Sequence, residues 1–210
     1  VHEHGFVGRI EWAIAGRAQP GQPVSGDRGI VLDTGGGAAL FAVVDGLGHG
    51  TAAAHAAEQA TRVLTQHRTQ PLDALMVLCH RALAHTRGAA ISLARFDRVD
   101  TVCWLGVGNV ESQVLGAGPV GAAVRATMLL GAGVVGDRLP ATLRPQSIPV
   151  RPGDLLLMAT DGIVARSTGE VDLADSASGI TTGILALRAR TSDDALVLAA
   201  RHRGVTEAAP

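Results

Sequence analysis

Lysine and tyrosine are missing from these 210 residues, and Phe, Trp and Cys number only three, two and two. All 18 basic residues are therefore Arg, which reads as codon bias before it reads as chemistry. Set against 19 Asp and Glu they leave a formal charge of −1. That balance shows neither the basic footprint of a nucleic-acid binder nor an acidic tail. Cys79 and Cys103 form no CxxC, which excludes a disulfide framework and a cysteine zinc site. No apolar run approaches the ~20 residues of a membrane helix, and the opening VHEHGFVGR lacks a signal peptide's apolar stretch. A cytoplasmic globular protein with no membrane partner is the expectation. The chain starts at Val1 rather than Met, as a trimmed chain or a piece of a longer one would.

What is abundant is small and aliphatic. Hydrophobic residues make 47 % of the chain, and 27 Gly contribute about another eighth, well above the ~45–50 % usual for that combined class. Such a chain buries a core, and with so few aromatics the core must be close-packed Val, Leu, Ile and Ala. Period-two alternation marks strands near 8–14, 29–33, 38–45, 89–97, 101–108, 110–115, 122–130, 144–150, 154–160 and 194–202. The second and third are joined across Thr34-Gly35-Gly36-Gly37, a hairpin signal. Helical spacing runs from Gly50 to about His67, from Pro71 to near His85, and over 177–190. The final GVTEAAP reads as a loose tail. No repeat or long linker interrupts the chain, so one domain over 1–210 is expected, with its core at about 8–202.

Two GxGxxG matches, at Gly116–Gly121 and Gly131–Gly136, are rejected as dinucleotide sites. Such a turn must open a helix, whereas Pro119 lies inside the first and Pro140 and Pro145 follow the second. His80 and His85 are five apart, and His49 and His55 six apart; neither spacing is the i, i+4 of a helical zinc pair.

More informative are aspartates at strand ends. FAVV runs into Asp45-Gly46, LLLMAT into Asp161-Gly162, and Asp193-Asp194 precede ALVLAAR. Singly, each Asp-Gly is ordinary turn chemistry. Together they bring several carboxylates to the rim of an apolar core, where charge is costly unless compensated. No Lys exists to compensate them and no Arg adjoins Asp45 or Asp161. Oxygen ligands without a basic partner suit a hard cation, Mg²⁺ or Mn²⁺, and a glycine after the Asp leaves a backbone carbonyl open to the same ion.

At these residues the chain resembles a known family. VSGD (24–27), VVDGLGHG (43–50), LLLMATDGI (155–163) and TSDDALVLAAR (191–201) occur in the order and spacing of the metal-dependent protein phosphatases (PPM, type 2C), in their SpoIIE-like branch. WLGVGNVE (104–111) is similar to the short RsbX-like phosphatases of bacterial stress response. The resemblance covers about residues 10–200. It implies an α+β fold, an αββα sandwich of two antiparallel sheets flanked by helices, in agreement with the strands and two helical zones above. It also implies two Mn²⁺ or Mg²⁺ ions: Asp45 as bridging ligand, Gly46 through its carbonyl, Asp161 and Asp193 on the second ion, and Asp27 on the other. Asp194 falls where relatives carry Asn or Asp, so Asp193 against Asp194 stays open.

The resemblance further implies a protein serine/threonine phosphatase, with two ions about 3.5–4 Å apart activating water for in-line attack on phosphorus. Many eukaryotic relatives have a His, the suspected proton donor, where this chain has Leu47. His49, two residues on, is a candidate general acid or simply a helix-start residue. Arg9 and Arg28 are the candidates for gripping phosphate. By resemblance the substrate is a phosphorylated STAS-domain regulator, selected by the stretch 116–137, the GVGN segment (106–109), Arg125 and Arg138. The competing readings are a catalytically silent binding or scaffold module and a structural Ca²⁺-binding sandwich. A lost ligand would mark the first, and a dense D-x-D-x-D loop the second.

Overall fold

A computed structural model describes residues 1–96, 100–164 and 171–204. Antiparallel pairing builds a sheet of six strands in the order β1 (His2–Val7), β2 (Ile10–Arg17), β12 (Ala195–His202), β11 (Leu155–Ala159), β7 (Glu111–Ala117), β8 (Ala122–Thr127). Stacked on it is a second sheet ordered β10 (Gln146–Pro149), β6 (Thr101–Val107), β5 (Ala89–Phe96), β4 (Ala38–Gly46), β3 (Asp27–Gly35), with the two-residue β9 (Leu130–Gly131) parallel to β6. Helices α1 (Thr51–His67) and α2 (Leu72–Leu83) cover the second sheet, and α3 (Ala177–Arg188) covers the first. The layers are thus α, β, β, α, as expected.

Strand alternation assigns each side chain to a layer. Odd positions of β4, including Phe41 and Val43, join Ile14, Trp104, Met158 and Leu198 between the sheets. Phe41 meets Phe96 edge-on with ring centroids 5.5 Å apart. Even positions, Leu40, Ala42 and Val44, pack under α1 and α2. The face of α1 toward the sheet is almost all alanine (Ala53, Ala56, Ala57, Ala60), which lets the helix lie close to β4. A Cβ on Gly46 would stand 2.2 Å from the Ala53 carbonyl oxygen, so only glycine fits after Asp45.

The strands and helices lie where periodicity puts them, with two corrections. First, β1 escapes a reading by alternation: it is an edge strand with exposed His2, Glu3 and His4, so it carries no apolar stripe. Second, 122–130 is not one strand. The chain leaves the first sheet after Thr127, buries Met128 between the sheets, and joins the second as β9. Residue 97 and most of the expected loose tail (205–210) lie outside the described residues. Among the described residues no helix is long and apolar enough to cross a membrane.

Candidate metal centre

Four strand ends meet at one end of the sandwich. Asp27 opens β3 and Asp45 lies near the end of β4; the two are directly paired across the ladder. As odd positions they face the first sheet rather than the helices. From that sheet, β11 runs out into Thr160-Asp161-Gly162, and β12 begins just after Asp193-Asp194. A Cβ on Gly162 would lie 1.8 Å from the Asp194 carbonyl oxygen, so this glycine too is fixed by a close backbone approach. Both Asp-Gly pairs are therefore places where another stretch of backbone, of α1 at Gly46 and of the neighbouring strand's entry at Gly162, comes too close for a side chain.

Thr160 and Asp194 tie the sheets together there. Thr160 Oγ1 donates to Asp27 Oδ2 at 2.7 Å and accepts from the Leu196 amide at 3.0 Å. Asp194 is 3 % exposed and gives both oxygens to backbone amides, Oδ1 to Gln19 N and Oδ2 to Gly26 N, each at 2.7 Å. It anchors the chain leading into Asp27. Gly26, in turn, leaves room beside Gly46: a Cβ there would sit 3.3 Å from the Gly46 carbonyl oxygen. Asp193 is half-buried and, among the described residues, accepts only the neighbouring Asp194 amide, at 2.9 Å. Asp161 is exposed and accepts from Asn109 Nδ2 at 2.7 Å.

Burial and crowding of like charge act on three of these carboxylates. Burial, then the charge of Asp45, pushes Asp27 up to about 8 from an ordinary value near 3.8. Burial, then the charges of Asp161, Asp193 and Asp194, pushes Asp45 up to about 7. Asp27 and Asp45 are direct neighbours across the ladder, so their titrations are linked. Burial raises Asp193 too, with Asp161 and Asp194 adding to the effect and His49 opposing it. The donors are all oxygen, and among the described residues no Arg pairs with Asp27, Asp45, Asp161 or Asp193. That donor set fits Mg²⁺ or Mn²⁺. It is not a closed cage: among the described residues no three His, Cys, Asp or Glu side chains are already gathered as a metal group.

A pH dependence follows with a definite sign. Above about pH 4 the folded metal-free protein keeps protons that the unfolded chain has lost, on Asp45 up to about pH 7 and on Asp27 up to about pH 8. The unfolded state then binds fewer protons, so stability falls as pH rises through this window. In EDTA the urea midpoint should be higher at pH 5 than at pH 8, and Mn²⁺ binding at pH 7 should release protons to buffer. A midpoint that rises with pH would contradict this picture of the cluster.

The other expected residues separate clearly. His49 is exposed on the loop after Asp45, near enough to favour the charged form of Asp193. It does not cap α1, whose N-cap is Gly50 with no side-chain hydrogen bond. Arg28 alternates with Asp27 along β3 and so faces the helix layer. Arg9 adjoins Ile10, which pairs with His202, whereas Asp193 lies beyond the Arg17 end of β2, about 26 Å away at ~3.3 Å per residue. Neither is placed to grip phosphate at these aspartates. Arg125 is likewise at the far end, forked onto Asp154 with both bonds at 2.8 Å. The stretch 116–137 divides: its turn at 118–121 lies at that far end, whereas 131–138 borders the centre. The Val135 backbone exchanges two hydrogen bonds with Ala89. Cys79 is buried, and burial pushes its thiol up to about 12, which rules it out as a nucleophile.

Composition and spacing pass over Thr160 and Arg87, and they place Asn109 only in the substrate-selecting GVGN segment, not beside Asp161. Arg87 is exposed on the turn whose Gly88 carbonyl accepts from Leu47 N. Its Nη1 lies 2.8 Å from where a Cβ on Gly48 would be. The β7–β11 register signals Asn109, because two steps past the Ala159–Glu111 pair it stands opposite Asp161. Nothing in the sequence signals Arg87.

Comparison with known proteins agrees with this architecture. The model of the SpoIIE family (stage II sporulation protein E) matches residues 35–203. No curated protein matches the chain. A structure solved in work on the bacterial stressosome, "a modular system that has been adapted to control secondary messenger signaling", superposes with a TM-score of 0.81. It is 34 % identical, over 91 % of this chain and 99 % of that one. RsbX in complex with magnesium superposes with a TM-score of 0.80 at 18 % identity, over 96 % of this chain and 99 % of that one. The PP2C phosphatase domain of SpoIIE from Bacillus subtilis gives 0.73 at 20 % identity, over 92 % of this chain and 63 % of that one. At identities this low, the last two likenesses concern the fold.

Proposed function

This chain belongs to the SpoIIE (stage II sporulation protein E) family, within the PPM phosphatases, and from that premise we propose that it is a metal-dependent protein serine/threonine phosphatase. The observation that carries this reading is geometric: Asp27 and Asp45 pair directly across the β3–β4 ladder, with Asp161 and Asp193 at the neighbouring strand ends and no Arg paired with any of them among the described residues. Asp27, Asp45, the Gly46 carbonyl, Asp161 and Asp193 would hold two ions, Mn²⁺ or the Mg²⁺ found with RsbX. Asp193 is preferred to Asp194 because both Asp194 oxygens are committed to backbone amides. When bound, such ions supply an activated water and neutralise charge on a transferring phosphoryl group.

The chain's own residues then have distinct tasks. Asp194 and Thr160 keep the two sheets in register at the ligands. Arg87 is the cation beside the 47–50 loop, with no acceptor among the described residues, and suits a phosphoryl oxygen. His49, close to Asp193, suits protonation of the leaving serine or threonine oxygen. His49→Ala should then slow a peptide phosphoserine far more than an aryl phosphate, whose leaving group needs no proton. Equal losses on both substrates would remove His49 from the chemistry.

For substrate, the proposal is phosphoserine or phosphothreonine on a STAS-domain regulator. The similar stressosome structure and a likeness to the RsbU and RsbW domains of Rv1364c from Mycobacterium tuberculosis support a target of that regulatory kind. With a formal charge of −1 the chain offers no broad electrostatic steering, so contacts should be local and shape-dependent. The test compares kcat/KM in Mn²⁺ on a folded phospho-STAS protein and on the same phosphopeptide unfolded. Faster release from the folded protein is expected. Equal rates would remove the STAS specificity, and no release from either would favour the silent binding module.

A further inference from the structure

Asn109 lies on the short crossing that carries the chain from β6 in one sheet to β7 in the other. Its backbone is tightly constrained. Gly108 has φ +104°, and a Cβ there would stand 2.4 Å from the Ala90 Cβ, so the crossing is pressed onto β5. On the other side Ser92 Oγ donates to the Val110 carbonyl at 2.8 Å. A rigid crossing thus presents the Asn109 amide, and Nδ2 donates to Asp161 Oδ2 at 2.7 Å.

Asp161 needs such a restraint more than its neighbours do. Asp27 is buried and held by Thr160, and Asp194 is held by two amides. Asp161 is exposed past the end of β11, next to the like charges of Asp45 and Asp193, which favour rotation of its carboxylate into solvent. Among the described residues, Asn109 is its only side-chain hydrogen-bond partner.

We propose that Asn109 is a positioning residue that holds the Asp161 carboxylate toward the centre through Oδ2, leaving Oδ1 for a divalent cation. The side chain suits the task because it is neutral. An Arg there would supply the positive charge that an ion should bring, and an Asp would add repulsion while offering no donor. The inference rests on reading Asp161 as a ligand, and partners of this kind are worth about 10–100-fold in metal affinity.

The test is Mn²⁺ binding by calorimetry, carried to millimolar Mn²⁺, on the parent, Asn109→Ala, Asp161→Asn and the double variant, each also unfolded by urea in EDTA. Asn109→Ala should weaken Mn²⁺ binding by about 10–100-fold with its metal-free urea midpoint unchanged. In the Asp161→Asn background the same substitution should change affinity by less than about twofold, because its effect passes through Asp161. Parent-like affinity in Asn109→Ala, or an equal loss in both backgrounds, would overturn the proposal. A parent that binds no Mn²⁺ would overturn it together with the metal reading. A parent that binds Mn²⁺ but releases no phosphate would overturn the phosphatase alone, and the binding cycle would still decide the role of Asn109.

Discussion

Asp45→Asn should reduce Mn²⁺-dependent phosphate release at least ~100-fold while making the metal-free protein harder to unfold at pH 8. The opposed signs come from one cause. Burial and the charges of Asp161, Asp193 and Asp194 push Asp45 up to about 7, so above neutrality its charge opposes the fold. An amide of the same shape removes that charge and keeps the packing of β4 against α1. It also removes a carboxylate that the proposed metal centre needs at the point where the two sheets meet. Asp161→Asn should show a comparable loss of activity with a smaller gain in stability, because Asp161 is exposed and its removal relieves only the repulsion on Asp45. Activity retained at limiting Mn²⁺, or a metal-free Asp45→Asn protein that unfolds more easily at pH 8, would break the link between charge clustering and metal binding.

The second large effect is steric. Gly162→Ala places a Cβ 1.8 Å from the Asp194 carbonyl oxygen, and Gly46→Ala places one 2.2 Å from that of Ala53. Both obstructions are backbone, so no flexible side chain can swing aside. Overpacking of this kind costs about 1–3 kcal/mol or more, which for a chain of this length is a melting temperature lower by roughly 2–12 °C. The strain falls on the segments carrying Asp45, Asp161 and Asp193, so Mn²⁺ affinity should fall with stability. Gly153→Ala, at a glycine with open space around it, serves as the comparison for sterics, although its φ of +92° still strains an alanine. An unchanged melting temperature in Gly162→Ala would mean that the close approach does not hold in solution.

How far the sequence could be read follows from the physics of each element. β4, β5, β6, β11 and β12 are buried by partners on both faces or in the sheet interior, so they appear as apolar runs between turn residues. The helices show through alanine and leucine spacing. β1 does not, because an edge strand exposing His2 and His4 has no buried stripe to write into its sequence. The convergence of the two Asp-Gly pairs at strand ends was legible, but the reason for their glycines was not. Periodicity cannot see that α1 presses on Gly46, or that the Asp194 backbone presses on Gly162. That both Asp194 oxygens are taken up by the Gln19 and Gly26 amides, about 170 residues away along the chain, was likewise beyond the reach of sequence. Arg9, Arg28 and Arg125 show the reverse limit. Residue type made them candidates, whereas strand direction and pleat turned them elsewhere.

The central claim, hydrolysis that depends on divalent ions held by these aspartates, is tested most directly by stripping the protein with EDTA and restoring Mn²⁺ stepwise over a phosphoserine substrate. Phosphate release should be absent in EDTA, rise with Mn²⁺, fail to return with Ca²⁺, and fail to return in Asp161→Asn at Mn²⁺ concentrations that saturate the parent. Release that persists undiminished in EDTA, or that Asp161→Asn recovers along the same Mn²⁺ curve as the parent, would contradict it.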